Sequence, residues 1–539
     1  MKRFLNILFT FCFLNIYFVN FGQMKNLAPE KYWVQFTDKN NSSFSVNAPE
    51  EFLSAKAIER RNRFSIEIEI NDLPVNSNYI DSLESLGLEI LGKSKWFNSV
   101  IVKSVDTVLL DTLQNLSFVD VYPPFSKKKK ENQVKEKNRN LNFQKKIVPN
   151  KKQFKNNVFD YGLSFNQISM LNGHILHNMG FQGQGMEIAI IDGGFYKVDE
   201  LPSFDTLFEN NQILGTRDFV ENNNNVYDEA THGMMVLSTI GGNYPGKLIG
   251  TAPKSKFWLL RSETVNSEYL EEEFYWTVAA EFSDSVGVDI VTTSLGYSTF
   301  DDPSQNHDYE SLDGESSIIT IASNIAVTKG LFLVSSAGNS GNKPWHYITV
   351  PADANDVLTV GAVDNFGIYA NFSSTGFTSD GRIKPDITAQ GVFVVMQSGS
   401  EEIGTGNGTS FSCPIIAGLV ACLWQSNPEV SNLELLEIIK NSSDRYENPD
   451  SLYGYGIPDF ENPFKENFSI DISDIEDTEY INIEIFDLLG VKIFNENLDL
   501  KDFKSNKIEI KNLFNFQKGI YILNIKTDKS SFRKKLFKL

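Results

Sequence analysis

Glu187-Ile188-Ala189-Ile190-Ile191-Asp192-Gly193-Gly194 is an apolar run that closes on an acid and two glycines. A stretch apolar on both faces suits a strand of a parallel sheet that is covered on both sides. Comparable runs stand at residues 257–260, 289–293, 331–335 and 357–363. Helical patterns fall between them at 232–240, 269–282 and 318–329, the last stopped by Gly330. This alternation predicts a doubly wound, mostly parallel α/β domain over residues 159–461.

Outward from that core the pattern changes twice. Residues 23–125 read as a small α+β unit, with strands at 33–36, 64–70, 89–92 and 99–102 and helices at 51–61 and 79–86. Between it and the α/β domain, residues 127–155 hold eleven Lys and one Arg against Glu131 and Glu136, a net +10 that leaves −30 for the rest. With so few apolar residues, 126–158 reads as a basic linker, and a nucleic-acid or membrane patch ranks below that. Residues 462–539 turn to short alternating strands at 468–472, 481–486, 508–510 and 519–525, a small all-β sandwich.

The start of the chain reads as a signal peptide over 1–22: Lys2 and Arg3 precede an apolar stretch at 4–18. That stretch is short of the roughly 20 residues a membrane span needs, so no stable span is expected in the mature chain. The net charge of −20 argues against nucleic acid as a general partner. Of three cysteines, Cys12 leaves with the signal, and Cys413 and Cys422 lie nine positions apart in one expected helix. At roughly 1.5 Å rise per residue that separation exceeds disulfide reach, so both are read as buried small hydrophobes.

Hydrolysis of an acyl group needs a nucleophile, a base, a group that orients the base, and donors for the oxyanion. Asp192 stands at the carboxyl end of a strand, where α/β folds gather ligand-binding groups. His232 opens a helix in Thr231-His232-Gly233, in a chain with only five histidines. Ser410 lies in Gly406-Asn407-Gly408-Thr409-Ser410-Phe411-Ser412-Cys413-Pro414, a glycine-rich turn into a helix with Pro414 expected in its first turn. Asn339, in Ser336-Ala337-Gly338-Asn339, offers an amide to the oxyanion beside the Ser410 N–H. Taken singly, each has an ordinary reading as a turn or cap residue. Ser294-Leu295-Gly296 ends another strand and suits pairing with an extended peptide, while Gly338 walls a side-chain pocket without filling it.

The order Asp, His, Asn, Ser resembles the subtilase family of serine peptidases across roughly residues 162–459. Ile190-Ile191-Asp192-Gly193-Gly194, His232-Gly233, Ser294-Leu295-Gly296, Ala337-Gly338-Asn339, Lys384-Pro385-Asp386 and Gly408-Thr409-Ser410 carry the likeness. The resemblance implies an Asp192–His232–Ser410 triad, an oxyanion hole with Asn339, and peptide binding by Ser294, Leu295, Gly296, Ala337 and Gly338. Departures are Gly193 for a usual Ser or Thr, Met234 for a frequent Thr, the variant run Phe411-Ser412-Cys413, and Gln390. His232 argues against sedolisin-like relatives, which use Glu there. The first unit looks like a subtilase propeptide. The last resembles type IX secretion sorting domains, through Asn462-Pro463-Phe464, residues 485–490, residues 519–523 and its basic end.

The expectation is a secreted or cell-surface serine endopeptidase made as a zymogen. Its partners are protein or peptide substrates, its own propeptide and the type IX machinery. A noncatalytic surface adhesin on a decayed scaffold and a dedicated processing peptidase are the rivals. No metal ligand is assigned; Asp301, Asp302, Asp308 and Asp313 leave calcium open.

Overall fold

The computed structural model describes residues 27–121, 157–228, 230–461 and most of 463–538. The expected signal peptide, nearly all of the basic linker, Asn462 and residues 488–490 lie outside the described residues.

Seven parallel strands form the central sheet, in the order Ile387–Gln390, Leu358–Val363, Phe332–Ser336, Ile290–Thr293, Glu187–Asp192, Lys256–Arg261 and Ile213–Asp218. Glu187–Asp192 is buried from Ile188 onward, which is why its sequence shows no polar face. After it the chain fills one side of the sheet, then crosses to the other beginning with Ile290–Thr293. The carboxyl ends of these two neighbours therefore flank the point where the winding reverses, the crevice in which such sheets bind ligands. The edge strands Ile213–Asp218 and Ile387–Gln390, and the hairpin Val394–Gln397 with Ile403–Gly406, went unread. They are short or carry polar and glycine residues.

Helices His232–Gly241 and Thr409–Ser426 cover one face, and Glu271–Val286 and Ile318–Thr328 the other. Thr409–Ser426 is long and apolar enough to cross a membrane by length and composition, yet 89% of its window is buried as a core helix. Cys413 and Cys422 lie in it, free and buried. Burial pushes the Cys413 thiol up to about 12.

The first unit is a four-stranded sheet in the order Glu89–Ser94, Ser99–Lys103, Lys31–Phe36, Val119–Val121, with helices Ala55–Phe64 and Ser77–Ser85. Residues 64–70 are not the expected strand. Ser54 caps a helix that runs to Phe64, Ser65 ends it at φ 56°, and a 3-10 turn follows at Ile70–Asp72. The alternation of Ile66, Glu67, Ile68 and Glu69 is a loop, since no strand pairs with it.

This unit docks on Glu271–Val286. Asp284, fully buried, accepts from Arg60 at 2.7 Å, Arg61 at 2.9 Å and Lys95 at 3.1 Å. Glu281 accepts from the Ser94 hydroxyl and the Lys95 and Trp96 N–H groups. Trp33 packs edge-on to Phe274, centroids 5.1 Å apart.

At the other end, Pro463–Phe464, Ser531–Lys538, Gly519–Lys526, Tyr480–Asp487 and Lys492–Asp499 form one sheet, and Phe468–Asp471 pairs with Lys507–Ile510. The basic closing segment is itself a strand, antiparallel to Gly519–Lys526, with Leu536 buried.

Candidate active site

Asp192 ends its strand with no exposed surface. Its Oδ1 and Oδ2 lie 2.8 and 3.0 Å from His232 Nδ1. A carboxylate only accepts, so Nδ1 carries the proton and Nε2 is left for another partner. The Gly193 N–H also donates to Asp192 Oδ1, at 2.8 Å. His232 is the first residue of its helix, and Gly233 lets that helix press on the strand. A Cβ at 233 would meet the Gly194 carbonyl oxygen at 2.5 Å and Asp192 Cβ at 3.0 Å. Where the sequence lacks a hydroxyl at 193, Glu263 Oε2 stands 3.3 Å from the place a Cβ would take.

Ser410 is the second residue of Thr409–Ser426, and Pro414 is the sixth, inside the helix rather than in its first turn. Proline has no N–H to give the carbonyl four residues back. The Ser410 carbonyl is served instead by the Ser294 hydroxyl at 2.9 Å, while Ser410 Oγ lies 3.5 Å from the Ser294 carbonyl oxygen. Ser294 thus joins the strand end to the helix start, a role its sequence context did not reveal.

Asn339 follows Phe332–Ser336, and its Oδ1 accepts from the Thr409 N–H at 2.9 Å and hydroxyl at 3.2 Å. Fixing the oxygen this way orients the amide and leaves its NH2 for the cleft. Thr409 also accepts from the Gly338 N–H at 3.2 Å. Its positioning part was missed, although it stands inside the quoted motif.

His232, Ser294, Gly296, Gly338, Asn339 and Ser410 all line one cavity of about 780 Å³. Leu295 and Ala337 belong to the core and do not line it. Phe411 flanks His232 at 6.0 Å between ring centroids. Lys343, Trp345 and Thr349 also line the cavity; nothing in their sequence context marked them. The arrangement supplies an oriented base, a hydroxyl and an amide donor facing one space.

Two of the other histidines, His177 and His307, are buried or nearly so and paired within the fold. His177 is buried between the Tyr161 hydroxyl and the Thr251 carbonyl, and burial lowers it to about 4. Burial alone would lower His307 too, but Glu273 at 2.5 Å outweighs it and raises it. Asp301, Asp302, Asp308 and Asp313 each accept from backbone N–H groups of nearby turns. Glu263, Glu268 and Glu272 instead bring carboxylate oxygens within 4.8 Å of one another.

Residues 183–456 match the subtilase family, residues 31–145 the peptidase S8 propeptide domain of Bacteroidota, and residues 460–538 the secretion system C-terminal sorting domain. The sorting domain assigns the chain to export, at the cell surface or released. Serine protease AprX of Bacillus subtilis (strain 168) is 28% identical over 312 residues, which cover 52% of this chain and 66% of that protein. Subtilisin of Bacillus pumilus is 26% identical over 294 residues, 54% of this chain and 94% of that protein. The crystal structure of MycP1 with its N-terminal propeptide removed superposes with a TM-score of 0.44 at 22% identity, covering 55% of this chain and 95% of that one.

Proposed function

The chain belongs to the subtilase family of peptidases, and on that premise we propose that it is a secreted serine endopeptidase, made as a zymogen, in which Ser410, His232 and Asp192 form the catalytic triad. The observation that carries this reading is the His232–Asp192 pair opening onto the same cavity as Ser410 and Asn339.

Ser410 Oγ attacks the scissile carbonyl carbon, and His232 Nε2 takes the hydroxyl proton. Asp192 holds the Nδ1–H tautomer and stabilises the imidazolium that forms. The carbonyl oxygen, now an oxyanion, accepts from Asn339 Nδ2 and from the Ser410 N–H. That N–H lies in the first turn of a helix, where backbone donors lack internal partners and the dipole favours negative charge. Collapse expels the amine, which receives the proton from His232 and leaves Ser410 acylated. Water, deprotonated by His232, then releases the acid and restores the serine.

In this account residues 23–125 are the inhibitory and folding-assisting propeptide, cut from the enzyme within 126–158. Residues 462–539 direct the chain to the type IX machinery and contribute nothing to the triad.

A fluorophosphonate probe on the purified protein tests the reading. One label per chain on the peptide containing Ser410, absent in Ser410→Ala and strongly slowed in His232→Ala, is expected. An unlabelled, folded protein would instead favour the noncatalytic adhesin.

A further inference from the structure

We propose that Thr349 is a specificity-determining residue, which restricts the enzyme to cleaving after short side chains. The inference rests on the peptidase reading above and names its substrate class.

The argument begins with where the acyl-side residue must sit. Its carbonyl carbon lies at Ser410 Oγ and its oxygen at the Asn339 amide. Its Cα is one bond away, so its side chain enters whatever gap adjoins Asn339 and Ser410. Gly338, next to Asn339, and Gly296, just past Ser294, both line the cavity there. Two residues without side chains leave a slot between their backbones.

That slot is closed by one side chain. A Cβ at Gly296 would stand 2.2 Å from Thr349 Oγ1 and 3.1 Å from its Cβ. A Cβ at Gly338 would stand 3.0 Å from the same Oγ1, 3.3 Å from Thr349 Cγ2 and 2.9 Å from Ser374 Oγ. The Thr349 side chain therefore lies against both walls and closes the slot. Gly338 has φ +103°, a backbone that only glycine adopts readily, so this wall stays bare. A long side chain entering the slot meets the threonine. Thr349 is 6% exposed, and Ser374 Oγ beside it accepts from the Ser340 N–H.

The test uses the processed enzyme and peptides identical except for the residue before the scissile bond: Ala, Ser, Val, Leu, Phe or Lys. Ratios of kcat/KM within one enzyme cancel any loss of folded protein. The native enzyme should favour Ala and Ser over Leu and Phe by about 10- to 100-fold. Thr349→Gly should raise the Leu:Ala and Phe:Ala ratios at least tenfold. Thr349→Val, equal in size, should keep the size limit and leave the Leu:Ala and Phe:Ala ratios as in the native enzyme. Cleavage after Phe or Leu as fast as after Ala in the native enzyme, or unchanged ratios in Thr349→Gly, would overturn the inference while Ser410 still labels with fluorophosphonate. Neither cleavage nor labelling would overturn the peptidase reading and the inference with it.

Discussion

Asp284→Ala should loosen the propeptide about a hundredfold. Asp284 lies on the enzyme side, fully buried, and is shared by Arg60, Arg61 and Lys95 of the propeptide. Removing one partner of a buried ion pair costs about 3–5 kcal/mol because the remaining charge stays desolvated. The low end applies here, since each cation keeps another acceptor. Arg60 also donates to the Val288 and Lys329 carbonyls, Arg61 to Asp72, and Lys95 to the Ser285 hydroxyl. About 3 kcal/mol is roughly a hundredfold in Kd. The assay uses the full chain carrying Ser410→Ala, nicked by trypsin within 126–156. Separation of the two parts is followed by tryptophan fluorescence on dilution, since Trp33 and Trp96 belong to the shared core. The sign with pH follows. Burial would raise Asp284, but the three cations outweigh it and hold it below its usual 3.8. Its contribution is complete above that value and is lost as pH falls through the lowered one. Glu281, pushed up by burial, opposes this: its contribution fades as pH rises. A Kd changed less than threefold by Asp284→Ala would refute the claim that this ion cluster anchors the propeptide.

Asn339→Asp keeps the acceptor for Thr409 and removes the donor, so kcat should fall by about 10²–10³ with KM little changed; equal kcat would exclude Asn339 from the oxyanion hole. His177, at about 4 against an unfolded 6.5, adds stability above pH 6.5 that is lost as pH falls toward 4, up to about 3 kcal/mol. Urea unfolding of the Ser410→Ala chain at pH 7 and pH 4.5 checks this, and His177→Gln should remove that part of the difference. Deleting 462–539 in a host with the secretion machinery should trap active enzyme in the periplasm; normal release would refute the sorting role, and loss of folded protein would assign the domain to stability.

Much of the site was legible because its chemistry needs particular residues at element ends. Asp192 follows an apolar run, His232 starts a helix, and Ser410 sits behind glycines; singly each is ordinary, and their occurrence together, with the family resemblance, singled them out. What escaped depends on contacts between segments far apart in the chain. Ser294 substitutes for the N–H that Pro414 lacks, and Thr349 closes a slot between Gly296 and Gly338. No local pattern encodes either relation. In the propeptide, the alternation at residues 66–69 resembled a strand, but the cap at Ser54 and the left-handed Ser65 decide for helix and loop. The closing strand Ser531–Lys538 was read only as a basic end, because its lysines hide the alternation that leaves Leu536 inside.

The account stands on acylation of Ser410 driven by His232, and a rapid-mixing experiment tests that most directly. With an activated ester in excess, the processed enzyme should release one equivalent of leaving group per active site in a burst. Intact mass of the quenched protein should show one acyl group on the peptide containing Ser410. Ser410→Ala should show no burst and lose on the order of a millionfold in kcat. A burst retained in Ser410→Ala, or an acyl group on any other residue, would contradict the triad.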